Sequence, residues 1–194
     1  MQTSTIVEPY SARHEESSIE AKHSSLVNLR KEYSTLRTKL KARQFHFENM
    51  QKKRENLSQK LYAKYPLNEH GEHAASYYSM LSDRYHERPI AEYMAMTKKK
   101  CKATRKKPGS ISTNNTAAIA EQYFTDYMCV YNQIVSGNFS AETLVEYRQS
   151  FEKSIKTLKE AINSLKEECG IYDEYNSFYK EFTQKYEAYV NALV

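Results

Sequence analysis

The sequence contains few of the residues that make tight turns. Among 194 residues there are only four Gly and four Pro, and Trp is absent. β-Sandwiches and barrels need turn residues at short intervals, whereas long helices need few of them. The alternation of apolar and polar residues that marks β-strands is also missing over any useful length. The sequence therefore predicts an all-α fold, with a long coiled-coil-like N-terminal helix and a C-terminal antiparallel helical bundle.

Long apolar runs are missing as well. No stretch approaches the roughly 18 consecutive apolar residues of a membrane span, so no transmembrane segment is expected. Residues 1–20 lack the apolar core of a secretory signal. Cys101, Cys129 and Cys169 lie far apart and do not have the C-x-x-C spacing of a zinc site or a disulfide framework. These features favour a reducing compartment, so a cytoplasmic or nuclear location is expected.

No arrangement of side chains in the sequence indicates catalysis. The nearest approach to a metal site is the pair His70 and His73, which straddle Gly71 and are not spaced to point the same way along a helix. A glycine-rich phosphate loop is absent, and no cysteine has a nucleophile signature beside it. The chain is therefore predicted to be non-enzymatic, with no catalytic residue, no cofactor and no metal.

Residues 24–65 predict one long helix. Apolar residues recur there at alternating steps of three and four, which is the spacing of a coiled-coil seam. Arg43 and Arg54 occupy the same seam, and the other nine of its eleven positions are apolar. A seam of this length needs a companion helix, from this chain or from another. The nine apolar residues are the predicted partner-binding residues: Leu26, Leu29, Tyr33, Leu36, Leu40, Phe47, Met50, Leu57 and Leu61.

A basic segment follows the helical N-terminal region. Pro66 should end the long helix, because proline disfavours the α conformation in the residue before it, and shorter helices are predicted over about 72–87 and 90–97. Residues 98–107 then contain seven cations, and Pro108-Gly109 cannot continue a helix. A basic linker is therefore predicted over 98–115. Its predicted anion-binding residues are Lys98, Lys99, Lys100, Lys102, Arg105, Lys106 and Lys107.

Charge is divided unevenly along the chain, although the net charge is only +5. Residues 1–115 carry 22 Lys or Arg and 12 Asp or Glu, whereas residues 116–194 carry 7 and 12. Such a division indicates either a basic half that binds anions or two halves that attract each other.

The acidic C-terminal part predicts three helices, over about 116–136, 141–169 and 173–193. Gly137 has the position of a helix C-cap and Ser140 that of an N-cap, and Gly170 is predicted to end the second helix. Short connections make sequential helices antiparallel neighbours, so these three should close around one core. Its predicted central residues are Phe124, Tyr127, Phe151, Ile155, Leu158, Phe182 and Tyr186.

The predicted organisation is a flexible lead at 1–18, a basic helical region at 19–97, a basic linker at 98–115 and an acidic helical bundle at 116–194. This pattern favours an interaction or scaffold protein, such as an adaptor or assembly subunit, whose long helix pairs with another protein or a second copy. One alternative is an anion-binding protein that uses residues 98–107 on nucleic acid or an acidic membrane. That run also fits a localisation signal or a solvated linker. Another alternative is a bacterial or viral effector-like protein with a host protein partner.

Overall fold

The structure, a computed structural model, describes residues 9–99 and 106–194, with side chains from residue 16 onward. In these ranges the all-α prediction is confirmed, because the only β pairing there is an isolated bridge between Leu67 and His73. Five helices are present in the described ranges: α1 (Pro9–Lys64), α2 (Ala75–Asp83), α3 (Arg88–Lys98), α4 (Thr113–Val135) and α5 (Ala141–Leu193).

Helix α1 begins earlier than the sequence predicts. It starts at Pro9 rather than near Ser24, and proline is well suited to the first turn of a helix because that turn needs no intrahelical N–H donor. Residues 9–18 of the predicted flexible lead are therefore helical, and residues 1–8 lie outside the described residues. The C-terminal end of α1, at Lys64, agrees with the stop predicted from Pro66.

The chain forms two compact units, and α1 and α5 each contribute residues to both. Unit 1 consists of Met1–Thr38 and Ile111–Lys166, and unit 2 of Lys39–Ser110 and Glu167–Val194. Each unit thus combines chain from the N-terminal and the C-terminal part of the sequence.

In unit 1, α4 runs antiparallel to α1, and α5 runs parallel to it. Arg30 of α1 forms an ion pair with Glu121 near the start of α4, at 2.7 Å. The hydroxyl of Tyr147, near the start of α5, donates a hydrogen bond to the carbonyl of Ile19, at 3.3 Å. All three helices supply side chains that are buried almost completely in this unit: Leu26, Tyr33, Ala120, Tyr127, Tyr147, Ser154 and Leu158.

In unit 2, the second part of α1 lies parallel to the last part of α5, with α2 and α3 packed against them. The guanidinium of Arg43 donates two hydrogen bonds to the carboxylate of Asp173, at 2.7 and 3.0 Å. The hydroxyl of Tyr65, just after α1, donates to the carbonyl of Leu193 at 3.3 Å. The main apolar cluster of this unit contains Leu57, Leu61, Tyr65, Tyr77, Ile90, Tyr186, Tyr189, Val190 and Leu193.

The connection between α4 and α5 has the predicted caps. Gly137 follows α4 with a φ of +95°, a conformation that is strained for residues with a side chain. The hydroxyl of Ser140 then accepts a hydrogen bond from the backbone N–H of Thr143 at 3.1 Å. This bond satisfies one of the free N–H groups at the start of α5.

The predicted end of a helix at Gly170 is wrong. Helix α5 runs without interruption from Ala141 to Leu193, and Gly170 lies exposed in its interior. The seven residues predicted to share one core are therefore divided between the units. Tyr127 and Leu158 are buried in unit 1, where Phe124, Phe151 and Ile155 are half-buried. Phe182 and Tyr186 belong to unit 2.

The substitution Gly170→Ala tests the continuity of α5. A Cβ added at Gly170 meets no atom within 4 Å, and alanine stabilises a helix interior by about 0.5–1 kcal/mol relative to glycine. We therefore expect urea unfolding of Gly170→Ala to show a gain of that size. Gly137→Ala is the matched control and should lose about 1 kcal/mol, since alanine is strained at positive φ. A loss at both positions would mean that α5 is broken at Gly170.

Candidate partner-binding surfaces

The predicted seam of α1 is covered by this chain's own helices. Six of its nine apolar residues are buried, and Leu29, Leu36 and Phe47 are half-buried. Leu26 to Leu36 belong to unit 1 and Leu40 to Leu61 to unit 2. The companion helix that the seam requires is therefore supplied from within the chain, and partner binding through the seam remains a prediction.

The two cations of the seam face α5 of the same chain. Arg43 is held by Asp173, and this hydrogen bonding raises the pKa of the Arg43 side chain. The guanidinium of Arg54 lies over the ring of Tyr179, 4.2 Å from its centroid. Both arrangements keep a charged group at the edge of an apolar seam without leaving it unpartnered. These arginines are accounted for by internal packing and do not identify a site for a partner.

The basic run is described only at its two ends. Lys98 closes α3, and Lys98, Lys99 and Lys107 are exposed. Lys106 forms an ion pair with Glu167 of α5. The remaining predicted anion-binding residues, Lys100, Lys102 and Arg105, lie outside the described residues, and so does Cys101.

A turn after the basic run is fixed to α5 within unit 2. The backbone N–H of Gly109 donates a hydrogen bond to the carboxylate of Glu168, which is only 1% exposed. Gly109 has a φ of +79°, so the turn needs a residue without a Cβ. Two consecutive carboxylates therefore hold this part of the chain: Glu167 pairs with Lys106 inside the basic run, and Glu168 holds Gly109 after it.

A cleft of about 370 Å³ opens in unit 1 along α1 and α4, and we refer to it as the α1/α4 cleft. Ile19 of α1 and Tyr131 and Ile134 of α4 contribute to its apolar lining. Val135, the last residue of α4, and Phe139, in the following turn, complete this lining and are 66% and 49% exposed. Polar groups make up the larger part of the cleft surface, and exposed aromatic and aliphatic side chains within such a concavity are typical of a binding site.

The α1/α4 cleft carries negative charge on its α1 side. Glu16 and Glu20 lie one turn apart there, and both are exposed. Neither carboxylate has an ion pair or a hydrogen bond with the chain in its described ranges. Helix α4 ends at Val135, and a helix C-terminus adds about half a negative charge. The cleft should therefore attract cationic groups.

His23 lies on the side of α1 that faces the cleft, and it packs against α4. Its ring stacks on Tyr131 with 3.7 Å between the centroids, and its Nδ1 lies 3.1 Å from the hydroxyl of Tyr127. Burial lowers the pKa of His23 from its ordinary value of 6.5. Protonation is therefore easier in the unfolded chain than in the folded chain.

The stability of unit 1 should consequently fall at mildly acidic pH. Because the folded pKa of His23 is depressed, its contribution is complete above the unfolded pKa and is lost as the pH drops through and below 6.5. We expect the difference in unfolding free energy between the parent chain and His23→Gln to shrink from about pH 7.5 to about pH 5. Urea melts over this range measure it. A constant difference would show that the ring is freely protonated in the folded chain.

A second cleft of unit 1, of about 400 Å³, lies along α4 and α5. Its lining is divided about equally between polar and apolar surface and includes Asp126, Cys129, Glu146 and Lys153. Cys129 is exposed, whereas Cys169, in unit 2, is buried, and burial raises the pKa of the Cys169 thiol.

Residues 9–99 and 106–194 contain no group of three His, Cys, Asp or Glu side chains placed to hold a metal ion. Over the same residues, no helix combines the length and apolar character needed to cross a membrane. Comparison of the chain with known protein families, with curated proteins and with solved structures found no match.

Proposed function

We propose that this chain is a non-enzymatic helical interaction protein, an adaptor or assembly subunit, that binds a partner protein in the α1/α4 cleft. The exposure of Val135 and Phe139 beside the cleft carries the proposal. Covering apolar surface contributes about 25 cal/mol per Å², and aromatic side chains are frequent anchors of protein interfaces. A partner that buries these two side chains gains affinity without any change in the fold.

Because the seam of α1 is buried, partner binding in the cleft is favoured over coiled-coil pairing through the seam. A partner helix could reach Leu26 or Leu61 only after α1 had separated from the helices that cover it. The cleft, in contrast, is open in the folded chain. Most interfaces form with little movement of the backbone, which favours the surface that is already accessible.

Site-specific photo-crosslinking tests this proposal. A photoreactive amino acid replaces Phe139 in the full chain, and the same amino acid replaces Phe45, which is 65% exposed on α1 of unit 2, as the control. We expect a partner protein to form a discrete crosslinked adduct with the chain labelled at position 139, and no adduct with the chain labelled at position 45. The purified adduct partner should then bind the purified chain, and Val135→Asp should weaken binding at least about tenfold. Equal adducts at both positions would contradict the proposal.

An anion-binding role for residues 98–107 is the alternative function. The anchoring of Lys106 by Glu167 and of the following turn by Glu168 favours it, because the C-terminal end of the run is held at a fixed position on unit 2. The run also contributes seven positive charges to a chain whose net charge is +5, so the remaining residues are slightly acidic. Phosphate groups are the anions that such a run of cations would bind.

Binding to a DNA duplex and to vesicles containing phosphatidylserine separates the two phosphate sources. Affinity for the true ligand should fall steeply as salt rises, since each neutralised phosphate releases a counterion. Replacing Lys98, Lys99 and Lys107 with Gln should weaken that binding, whereas Lys31→Gln, Lys41→Gln and Lys52→Gln on exposed positions of α1 should not. This function would be excluded if the affinity did not change with salt concentration, or if the two triple substitutions weakened binding equally.

A further inference from the structure

We infer that the partner of the α1/α4 cleft is a basic amphipathic helix, which inserts an apolar side chain beside Val135 and Phe139 and places Lys or Arg against Glu16 and Glu20. This inference rests on the proposed function of the cleft. It specifies the chemistry of the partner: an apolar stripe flanked by cations that recur about one helical turn apart.

The shape of the cleft favours a helical partner. Its walls are two antiparallel helices, with Ile19 on α1 and Tyr131, Ile134 and Val135 on α4. The side chains of Tyr131 and Val135 lie one turn apart, as do those of Glu16 and Glu20, so the lining repeats with the period of a helix. A helix laid along such a groove presents its own side chains with the same period.

The carboxylates of the cleft select the charge of the partner. Two other acidic residues of unit 1 are ion-paired, since Glu121 pairs with Arg30 at 2.7 Å and Glu32 with Lys166 at 2.8 Å. Glu16 and Glu20 have no such partner in the described part of the chain. Cations on an incoming helix would pair with them, whereas acidic side chains would be repelled by both carboxylates and by the C-terminus of α4.

The basic run of a second copy does not offer the required helix. Its cation-rich segment, residues 98–107, contains only Cys101 and Ala103 as apolar residues, so it has no large side chain to place beside Phe139. The exposed part of its own cleft is acidic and would repel an identical surface. Neither the basic run nor the cleft of a second copy is therefore a suitable occupant, and the occupant we propose is a partner protein with a basic amphipathic helix.

Synthetic peptides test the inference on the full chain. Three helical peptides of about 18 residues share a Leu- and Phe-containing apolar face and carry Lys, Gln or Glu at the flanking positions. Fluorescence anisotropy at about 50 mM salt should show the Lys peptide binding about tenfold more tightly than the Gln peptide, and the Glu peptide binding weakest. Raising the salt to about 300 mM should reduce this preference, because the ion pairs are exposed.

Variants of the chain assign the preference to specific residues. The double substitution Glu16→Gln and Glu20→Gln should remove most of the preference for Lys over Gln while keeping apolar binding. The matched control, Glu152→Gln and Glu160→Gln on exposed positions of α5, makes the same change in net charge and should retain the preference. Val135→Asp should weaken the binding of all three peptides.

The outcomes distinguish this inference from the proposed function. If the three peptides bind equally well and Val135→Asp abolishes their binding, the inference of a basic partner is wrong. The cleft would still be a docking site. The same charge preference in both glutamate double variants would place the basic contact elsewhere and overturn the inference. If no peptide binds while the adduct at position 139 persists, the partner is not a basic helix.

Discussion

Truncating Leu26 to alanine should lower the free energy of unfolding by about 2–5 kcal/mol. Leu26 is fully buried in unit 1 at a seam position of α1. Its removal deletes apolar contacts and leaves a cavity that the surrounding helices can fill only in part. Urea melts monitored by circular dichroism measure the loss. This effect should be one of the two largest of those predicted for this chain.

The control for Leu26→Ala is Val145→Ala, an exposed aliphatic residue of α5 in the same unit. Val145 is 52% exposed, so its truncation should change stability by no more than about 0.5 kcal/mol. The unfolding midpoint of Leu26→Ala and of the parent should also be independent of protein concentration, because the seam is covered from within the chain. A midpoint that rises with concentration would show that the seam pairs between chains.

Removing α1 should abolish cooperative folding of the C-terminal part. A fragment of residues 111–194 loses every side chain that α1 buries in the two units, including Leu26, Tyr33, Leu57 and Leu61. The stability of a whole domain is only about 5–15 kcal/mol, so this loss exceeds what the remaining contacts can provide. We expect the fragment to show weak helicity and a broad, non-cooperative urea transition by circular dichroism.

Complementation provides the control for that experiment. Mixing residues 1–110 with residues 111–194 as separate chains should restore helicity and a cooperative transition, since the two fragments together contain all helices of both units. If the fragment 111–194 alone unfolds cooperatively with the stability of the parent, its helices form their own core. The contacts between α1 and α5 would then contribute little to the stability of the chain.

The local signals at Pro66 and at Gly137–Ser140 predict the helix ends that the structure has, whereas the signal at Gly170 does not. Pro66 and the Gly137–Ser140 caps act through steric exclusion and backbone hydrogen bonds, which depend on adjacent residues. Gly170 disfavours a helix interior by only about 1 kcal/mol. Its neighbours Cys169 and Ile171 are buried, and their packing outweighs that cost. A glycine alone therefore did not determine where α5 ends.

The pairing of α1 with α5 could not be predicted from the sequence. Periodicity identified which face of α1 is apolar, and the structure buries or half-buries all nine residues of that face. The identity of the covering helix depends on contacts between residues such as Lys53 and Glu187, which are 134 positions apart. Nothing in one sequence distinguishes this companion from a helix of another protein.

The α1/α4 cleft was missed for the same reason, because it combines residues such as Ile19 and Val135 that are distant along the chain. One signal was present. Val135 extends α4 beyond its apolar seam, and Phe139 adds an aromatic residue to the turn that follows. Two large apolar residues outside the seam, on either side of a glycine, could have indicated an exposed apolar surface.

The parallel pairing of the first and last helices has a consequence for synthesis of the chain. Ile19 contacts Tyr147, and Tyr65 contacts Leu193, each across 128 positions. At about 5–20 residues per second, the ribosome needs roughly 6–26 s to add that many residues. During this interval the apolar stripe of α1 has been made and its α5 companion has not. The nascent chain is therefore an expected client of chaperones that bind exposed apolar helices, and slow translation of α5 should increase its aggregation.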